Sequence, residues 1–419
     1  MSRHRRLRSI AAVVVTLASI ASACTGGSDE DPVAVVVTTT TEPPAPRVDD
    51  GILQIGALIP AGDTAVGVAL RDSVEAAVLE VNNGGGVLGQ RVRLLVRDEG
   101  PSAVTAAEAV EELVAEDVDA ILGPTSSNVA IGALDEIVDA GVVACSATAA
   151  AIALDDYPDD GLFFRSVPSE SLQAVAIARK AQETGATAIA VIHVDDAFGR
   201  PYAEATLAAL DLEGVFDVTT IPIPVGDDDL SNDLDLLSVN GAQTAIVLGS
   251  GADTARVLES LAQRGGAGVT SIIVNDAVRD AASRPVVAGL PDEIRTLILG
   301  VAPQIVVDGD PDDDEPPVPF APQVTDCVNL IALAAVQANS DAPQLIAGQM
   351  SSVSSGGSLC RDFADCADKI GRGLQINFDG ATTITEIGRD GDPSRARFDQ
   401  FRFRDDGSDE VERPFPIGR

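Results

Sequence analysis

Residues Gly123–Thr148, GPTSSNVAIGALDEIVDAGVVACSAT, read as a loop, one helix, one short buried strand and a second loop. The apolar run Val118–Leu122 just before them is a candidate parallel strand, closed by the turn pair Gly123-Pro124. Ser126, Ser127 and Asn128 are all good N-cap residues for the amphipathic segment that follows. That helix ends near Gly141, and Val142–Cys145 supplies the next strand, running directly into Ser146-Ala147-Thr148. In a parallel α/β sheet both loops leave the carboxyl ends of their strands, where such sheets bind ligands. A hydroxyl-rich loop entering a helix offers N–H groups and partial positive charge to a carboxylate. The same residues also serve as plain caps and turn closers, so the stretch by itself leaves both roles open.

Outward from this stretch the alternation continues in both directions. Ile52–Ile59 is a strand, and Val66, Leu70, Val74, Val78 and Val81 keep one helical face that Asn82–Gly86 ends. Arg91–Val96 is the next strand, and Val104–Val114 the helix before Val118. The order βαβαβαβ predicts a parallel sheet covered on both faces. After FFRSVPSES (163–171) the alternation restarts. Helices fall from about Ser171, near Pro201–Leu212, near Leu230–Ser238 and at Thr254–Arg264. Strands fall at Thr187–Ile192, Val215–Ile221, Thr244–Leu248 and Thr270–Val274. Helices near Asp326–Ala338 and Asp362–Ile370 flank a Ser/Gly loop, and the strand-like GLQINF and ARFDQFRF close the chain. The fold class is α/β, with two successive doubly wound lobes and no repeat between their sequences.

Composition narrows the function. The formal net charge is −37 over 419 residues, which repels nucleic acid and anionic headgroups. Aromatics make up 3% of the chain, with no Trp, so stacking platforms for sugars or nucleobases are scarce. His4 and His193 are the two histidines, which argues against a His-rich metal site and a Ser-His-Asp triad; no G-x-S-x-G is present. The run DGDPDDDEPP (308–317) is Pro-rich and lacks a glycine-turned ligand loop, so it reads as solvated coil and no metal site is expected. No cofactor is expected either.

Residues 1–23 carry a basic start, the apolar stretch Ile10–Ile20 and the small-residue end Ala21-Ser22-Ala23, and are read as an export signal outside the fold. Cys24 directly after them resembles the lipobox of bacterial lipoproteins, although Ala21 stands where leucine is usual. The resemblance implies lipidation of Cys24; ordinary secretion with a free thiol is the alternative. Residues 24–51, rich in Thr, Pro and acids, then form a tether that lifts the body off a surface. Four cysteines remain: Cys145, Cys327, Cys360 and Cys366. Outside the cytoplasm they suggest disulfides with three possible pairings; Cys360 and Cys366 are the nearest pair, and Cys145 also suits a buried thiol.

Several segments together resemble the type I periplasmic binding proteins of the leucine/isoleucine/valine-binding group. They are IGALIPAGDTAVG, VLEVNNGGGVLGQRVRLLVRDEG, AEDVDAILGPTSSNVA, SATAA, LFFRSVPSESLQAVAIA, VDDAFGRPYAEA, INFDGATT and GDPSRARF. The resemblance runs from Ile52 to about Phe398. It implies two Rossmann-like lobes joined by three crossovers, near Val167, Ala302 and Arg395. Lobe 1 would hold 52–167 and 303–395, and lobe 2 would hold 168–302 and 396–419. It further implies a monomeric, non-enzymatic binder on the outer face of the cytoplasmic membrane, held there through its lipid anchor only. That binder would pass a small zwitterion or amide to an ABC permease; a sensing module for a membrane receptor and a degenerate lipoprotein are the alternatives.

Carried over by position, Ser127 matches a serine that holds the ligand carboxylate, with Ser126 beside it. Ala147 and Thr148 match a pair that does the same. Asp276 falls near the acid that holds the α-ammonium, and Ser250 after IVLG lines the cleft. Phe198 stands where tyrosine is frequent and cannot donate a hydrogen bond. Gln173 suits either the hinge or a solvated helix face, and Asp195 and Asp196 read as loop carboxylates. The SAT loop is short, and the first-lobe loop Ala61–Ala65 carries no aromatic to seal a pocket.

Overall fold

The computed structural model describes residues 49–60, 65–226, 229–304, 320–382 and 386–418. The export signal, Cys24, most of the tether, most of the Ala61–Ala65 loop and the acidic run 308–317 lie outside the described residues. No helix among the described residues is long and apolar enough to cross a membrane.

Five parallel strands form the first sheet: β1 (Gln54–Ile59), β2 (Arg93–Asp98), β3 (Ala120–Leu122), β4 (Val143–Ser146) and β5 (Phe163–Arg165), in the order β2-β1-β3-β4-β5. Helices α1 (Ala65–Asn83), α2 (Ala103–Ala115) and α3 (Ser127–Asp139) connect them. Strand alternation decides what packs where. Ile55, Ala57 and Ile59 join the core beneath α1, while Leu58 joins the core beneath α2 and α3. In α1, Leu70, Val74, Val78 and Val81 are buried as expected, but Val66 in the first turn stays exposed.

The second sheet is β6 (Ile189–Val194), β7 (Val218–Ile223), β8 (Thr244–Leu248), β9 (Ser271–Val274) and β10 (Ile298–Pro303), all parallel. Helix α4 (Glu170–Glu183) leads into it, and between its strands run α5 (Gly199–Leu212), α6 (Ser231–Asn240), α7 (Gly251–Gln263) and the short α8 (Arg284–Gly289) and α9 (Asp292–Arg295). Its parallel order, β10-β9-β8-β6-β7, is the order of the first sheet restated, so the two lobes repeat one topology without repeating sequence.

The chain then returns to the first core. Helices α10 (Ala321–Ala338), α11 (Pro343–Val353) and α12 (Phe363–Gly371) bury Val328, Ile331, Met350 and Phe363 against the face that holds α1. A small parallel pair, β11 (Ser358–Cys360) and β12 (Ile376–Phe378), lies beside them. Finally β13 (Arg395–Phe403) and β14 (Asp409–Gly418) add antiparallel to β10. Gly300 in β10 is needed for that pairing, because a Cβ there would lie 1.9 Å from the Phe401 ring. Three passages between the two sheets result: before α4, after β10 and before β13.

Both disulfides tie the first lobe. Cys360 joins Cys366, the nearest pair in sequence. Cys145 is not a free thiol: it joins Cys327, linking β4 to α10 across 182 residues.

Candidate functional site: a cleft between the two sheets

The loops at the carboxyl ends of β3, β6, β8 and β9 converge on a cleft of about 560 Å³, within the ~300–1,000 Å³ of small-molecule sites. In each sheet the third strand, β3 or β8, feeds a helix whose N-cap is a serine lining this cleft: Ser126 for α3 and Ser250 for α7. Both loops leave the strand next to the point where strand order reverses, the expected ligand position in such sheets.

The first-sheet wall is held rigidly from behind. Gly123 has φ +115°, and a Cβ there would meet the Leu58 carbonyl oxygen at 2.3 Å, so the chain can leave β3 at this angle only with glycine. The Ser146 hydroxyl donates to the Pro124 carbonyl at 2.6 Å, and Thr148 Oγ1 donates to the Thr125 carbonyl at 2.6 Å. Buried Glu99, at the end of β2, accepts from the Thr125 N–H at 2.8 Å and from its hydroxyl; burial pushes its carboxyl up. Ser126 Oγ accepts from the Val129 N–H and Ser127 Oγ from the Ala151 N–H at 3.2 Å. Acting as acceptors, both leave their own hydroxyl protons able to donate into the cleft.

Against the sequence expectations, Ser126, Ser127, Phe198, Ser250 and Asp276 are brought together at the cleft, while Ala147 and Thr148 are not among its lining residues. The short SAT loop folds beneath the first-sheet wall: Ala147 is buried and Thr148 spends its hydroxyl bracing Thr125. The turn Ile152–Leu154 occupies the place expected for them, with Ala151, Ile152 and Ala153 on the cleft. Ser250 is also committed locally, donating to Asp253 Oδ2 at 2.6 Å.

The second-sheet wall is acidic. Asp196, Asp253, Asp276 and Asp280 line it, joined by Glu170 at the start of α4. Asp196 caps α5, accepting from the Phe198 and Gly199 N–H groups at 3.0 and 2.7 Å. Asp253 lies in the first turn of α7, which Ser250 caps, and pairs with Arg256 at 2.9 Å. Asp276 is held by Gln173, whose amide donates to Asp276 Oδ1 at 2.7 Å and to the Val301 carbonyl at 2.8 Å. Gln173 is therefore a buried hinge-side residue and not a solvated helix position. Burial raises the Asp276 carboxyl, although the Gln173 bond opposes the shift. Burial, and then the charge of Asp276, push Glu170 up to about 8.

Three groups here were not legible as site residues. Asn275 is a buried residue of the cleft wall that donates to the Gly249 carbonyl at 3.1 Å, and its Oδ1 has no hydrogen-bond partner among the described residues. Tyr202, fully buried, meets Phe198 edge-on at 5.9 Å; its hydroxyl has no partner among the described residues and feels the charges of Glu170 and Asp276. Tyr202 follows Phe198 by one helical turn and stands behind the cleft lining. Arg165 Nε donates to Asp392 and its Nη2 to Asp155, each at 2.6 Å, locking the first passage to the third. The only sequence signal for Arg165 was its place in the apolar run LFFR.

A second depression of about 950 Å³ follows the β13–β14 hairpin. Its charges are paired with each other or nearby, Arg402 with Glu412, Arg404 with Glu410 and Asp405 with Arg295, so it offers no buried unpartnered group.

Comparison with known proteins agrees with this architecture. A family described as "Periplasmic binding protein" matches residues 53–287, more than half of the chain. The chemotactic signal transduction system substrate-binding protein BasB of Halobacterium salinarum is 27% identical over 80% of this chain and 83% of its own length. The Leu/Ile/Val-binding protein BraC3 of Rhizobium johnstonii is 28% identical over 40% of this chain and 46% of its own. The solved branched-chain amino acid transporter substrate-binding protein LivJ of Streptococcus pneumoniae, in complex with isoleucine, superposes with a TM-score of 0.60 at 17% identity. That superposition covers 88% of this chain and 100% of LivJ. The chain belongs to the periplasmic binding protein family, and its two-lobed fold is that of the type I, branched-chain amino acid binding group.

Proposed function

We propose that this protein is an extracytoplasmic solute-binding lipoprotein that encloses a small amino acid or amide and presents it to an ABC importer. The observation that carries the reading is the polarity of the cleft. The Asp196 carboxylate already meets the N-terminus of α5 and Asp253 stands in the first turn of α7, whereas α3 has no acid in its first turn. An incoming carboxylate therefore finds the uncompensated end of α3, with the Ser126 and Ser127 hydroxyls beside it. An ammonium finds Asp276 and the unpartnered Asn275 Oδ1 on the opposite wall. A ligand touching both walls favours the closed arrangement by its extra affinity for it, and no group in the cleft is asked to make or break a bond.

The expected result is a clear rise in unfolding temperature in a screen of amino acids, amides and urea, since ligand at 100 times its Kd adds about 2.7 kcal/mol. Asp276→Ala should then weaken the hit by tenfold or more. A screen with no shift from any compound refutes the reading. The kinship with a chemotactic BasB supports a second reading, a ligand-sensing subunit for a membrane receptor. Co-purification with a permease or with a signalling protein separates the two. Lipidation of Cys24 is checked by the mass of the mature N-terminal peptide.

A further inference from the structure

We propose that the ligand carries two positive charges and one carboxylate, as a diamino or guanidino amino acid does, and is not a neutral branched-chain one. This rests on the solute-binding reading above and narrows it. Five carboxylates line the second-sheet wall, and among the described residues no lysine, arginine or histidine lines the cleft. The overall charge of −37 does not account for them. Acids that serve solubility stand out in water, whereas Glu170 and Asp276 are half-buried on the cleft wall, where an unmatched carboxylate costs more.

The nearest guanidinium groups are committed elsewhere, Arg165 to Asp155 and Asp392, and Arg279 to Asp409. Asp196 and Asp253 are matched by helix ends and Arg256, which leaves Glu170, Asp276 and Asp280 facing the cleft without an ion pair among the described residues. Glu170 holds a proton up to about 8, as a carboxyl does beside a second acid when no cation is present. Asn275 Oδ1 is a further buried acceptor with nothing to accept from among the described residues.

These acceptors fall into two groups. Glu170 and Asp276 lie on the hinge side, tied to Gln173 and the Ile152 turn. Asp280 lies against the start of α7, with its Oδ2 close to Gly251 and its Oδ1 accepting from the Ser283 N–H. In the two-charge proposal each takes one cationic group of the ligand. No three acids among the described residues converge as a metal ion's ligands would, so the matching charge is a spread-out organic cation. Lobe 1 meanwhile keeps its single carboxylate position at α3.

The test is calorimetric titration of the purified protein with lysine, ornithine, arginine, norleucine, leucine and putrescine, at 0.1 and 0.5 M salt. The expected result is at least tenfold tighter binding of a cationic amino acid than of norleucine, retained at the higher salt. Glu170→Gln and Asp280→Asn should each narrow that ratio several-fold. Norleucine or leucine binding as tightly as lysine overturns the two-charge proposal and leaves the solute-binding reading standing. Putrescine binding as tightly as lysine overturns the carboxylate half. A lysine preference that vanishes at high salt and ignores both substitutions assigns it to the acidic surface and overturns the proposal. Silence from every probe, in a protein with a normal unfolding transition, overturns both readings.

Discussion

Replacing Glu170 with glutamine should abolish a specific part of the pH dependence of stability. Glu170 faces Asp276 from the turn after β9, Asp155 and Arg165 from the first-sheet side, and Tyr202 on α5. Burial and the Asp276 charge raise its carboxyl from 4.5 to about 8. The folded protein therefore keeps this proton through a range where the unfolded chain has lost it. The contribution is complete below about pH 4.5 and is lost as pH rises toward 8. Across that window each pH unit is worth about 1.4 kcal/mol, so the whole approaches ~5 kcal/mol. The side chain retains some contact with water, and screening brings the expected loss to about 3 kcal/mol. Glutamine keeps the shape and the oxygen that accepts from the Ile152 N–H, without the charge. Urea unfolding of the ligand-free protein should show wild type and Glu170→Gln nearly equal at pH 5, with the variant more stable by about 3 kcal/mol at pH 8. A difference that stays constant from pH 5 to 8 refutes the reasoning, because a lost contact has no reason to track that window.

Two further outcomes test the frame around the cleft. Arg165→Met should cost about 3–5 kcal/mol in urea unfolding, because it strips the guanidinium from Asp155 and Asp392; a loss below ~1 kcal/mol refutes the lock. Converting Cys145 and Cys327 to alanine opens a 182-residue loop, worth ~5 kcal/mol by chain entropy, against ~2 kcal/mol for the six-residue loop of Cys360 and Cys366. Unfolding under non-reducing conditions that ranks the short loop as the costlier loss overturns this ordering.

Everything carried by short-range pattern was legible in the chain itself. Helical and strand periodicities between Ile55 and Val274 depend on neighbours a few residues apart, and they placed nearly every element there within a few residues. The exceptions follow the same logic. β5 has three residues and α11 opens on a proline beside a Ser/Gly stretch, too little pattern to read. Ser126 and Ser127 were legible because capping is local chemistry.

Which distant segments meet within each lobe was settled by long-range packing. Gln173 holds Asp276 from 103 residues away, Arg165 reaches Asp392 across 227, and Cys145 finds Cys327 across 182. No periodicity encodes such pairs; they exist because each lobe is completed by segments far apart in the chain. The same closure reassigned Thr148, whose hydroxyl has a carbonyl at 2.6 Å behind it and so braces the wall from which α3 points. It also gave Glu170 its character, since an acid in the first turn of a helix is ordinary until burial and a second carboxylate hold its proton in place.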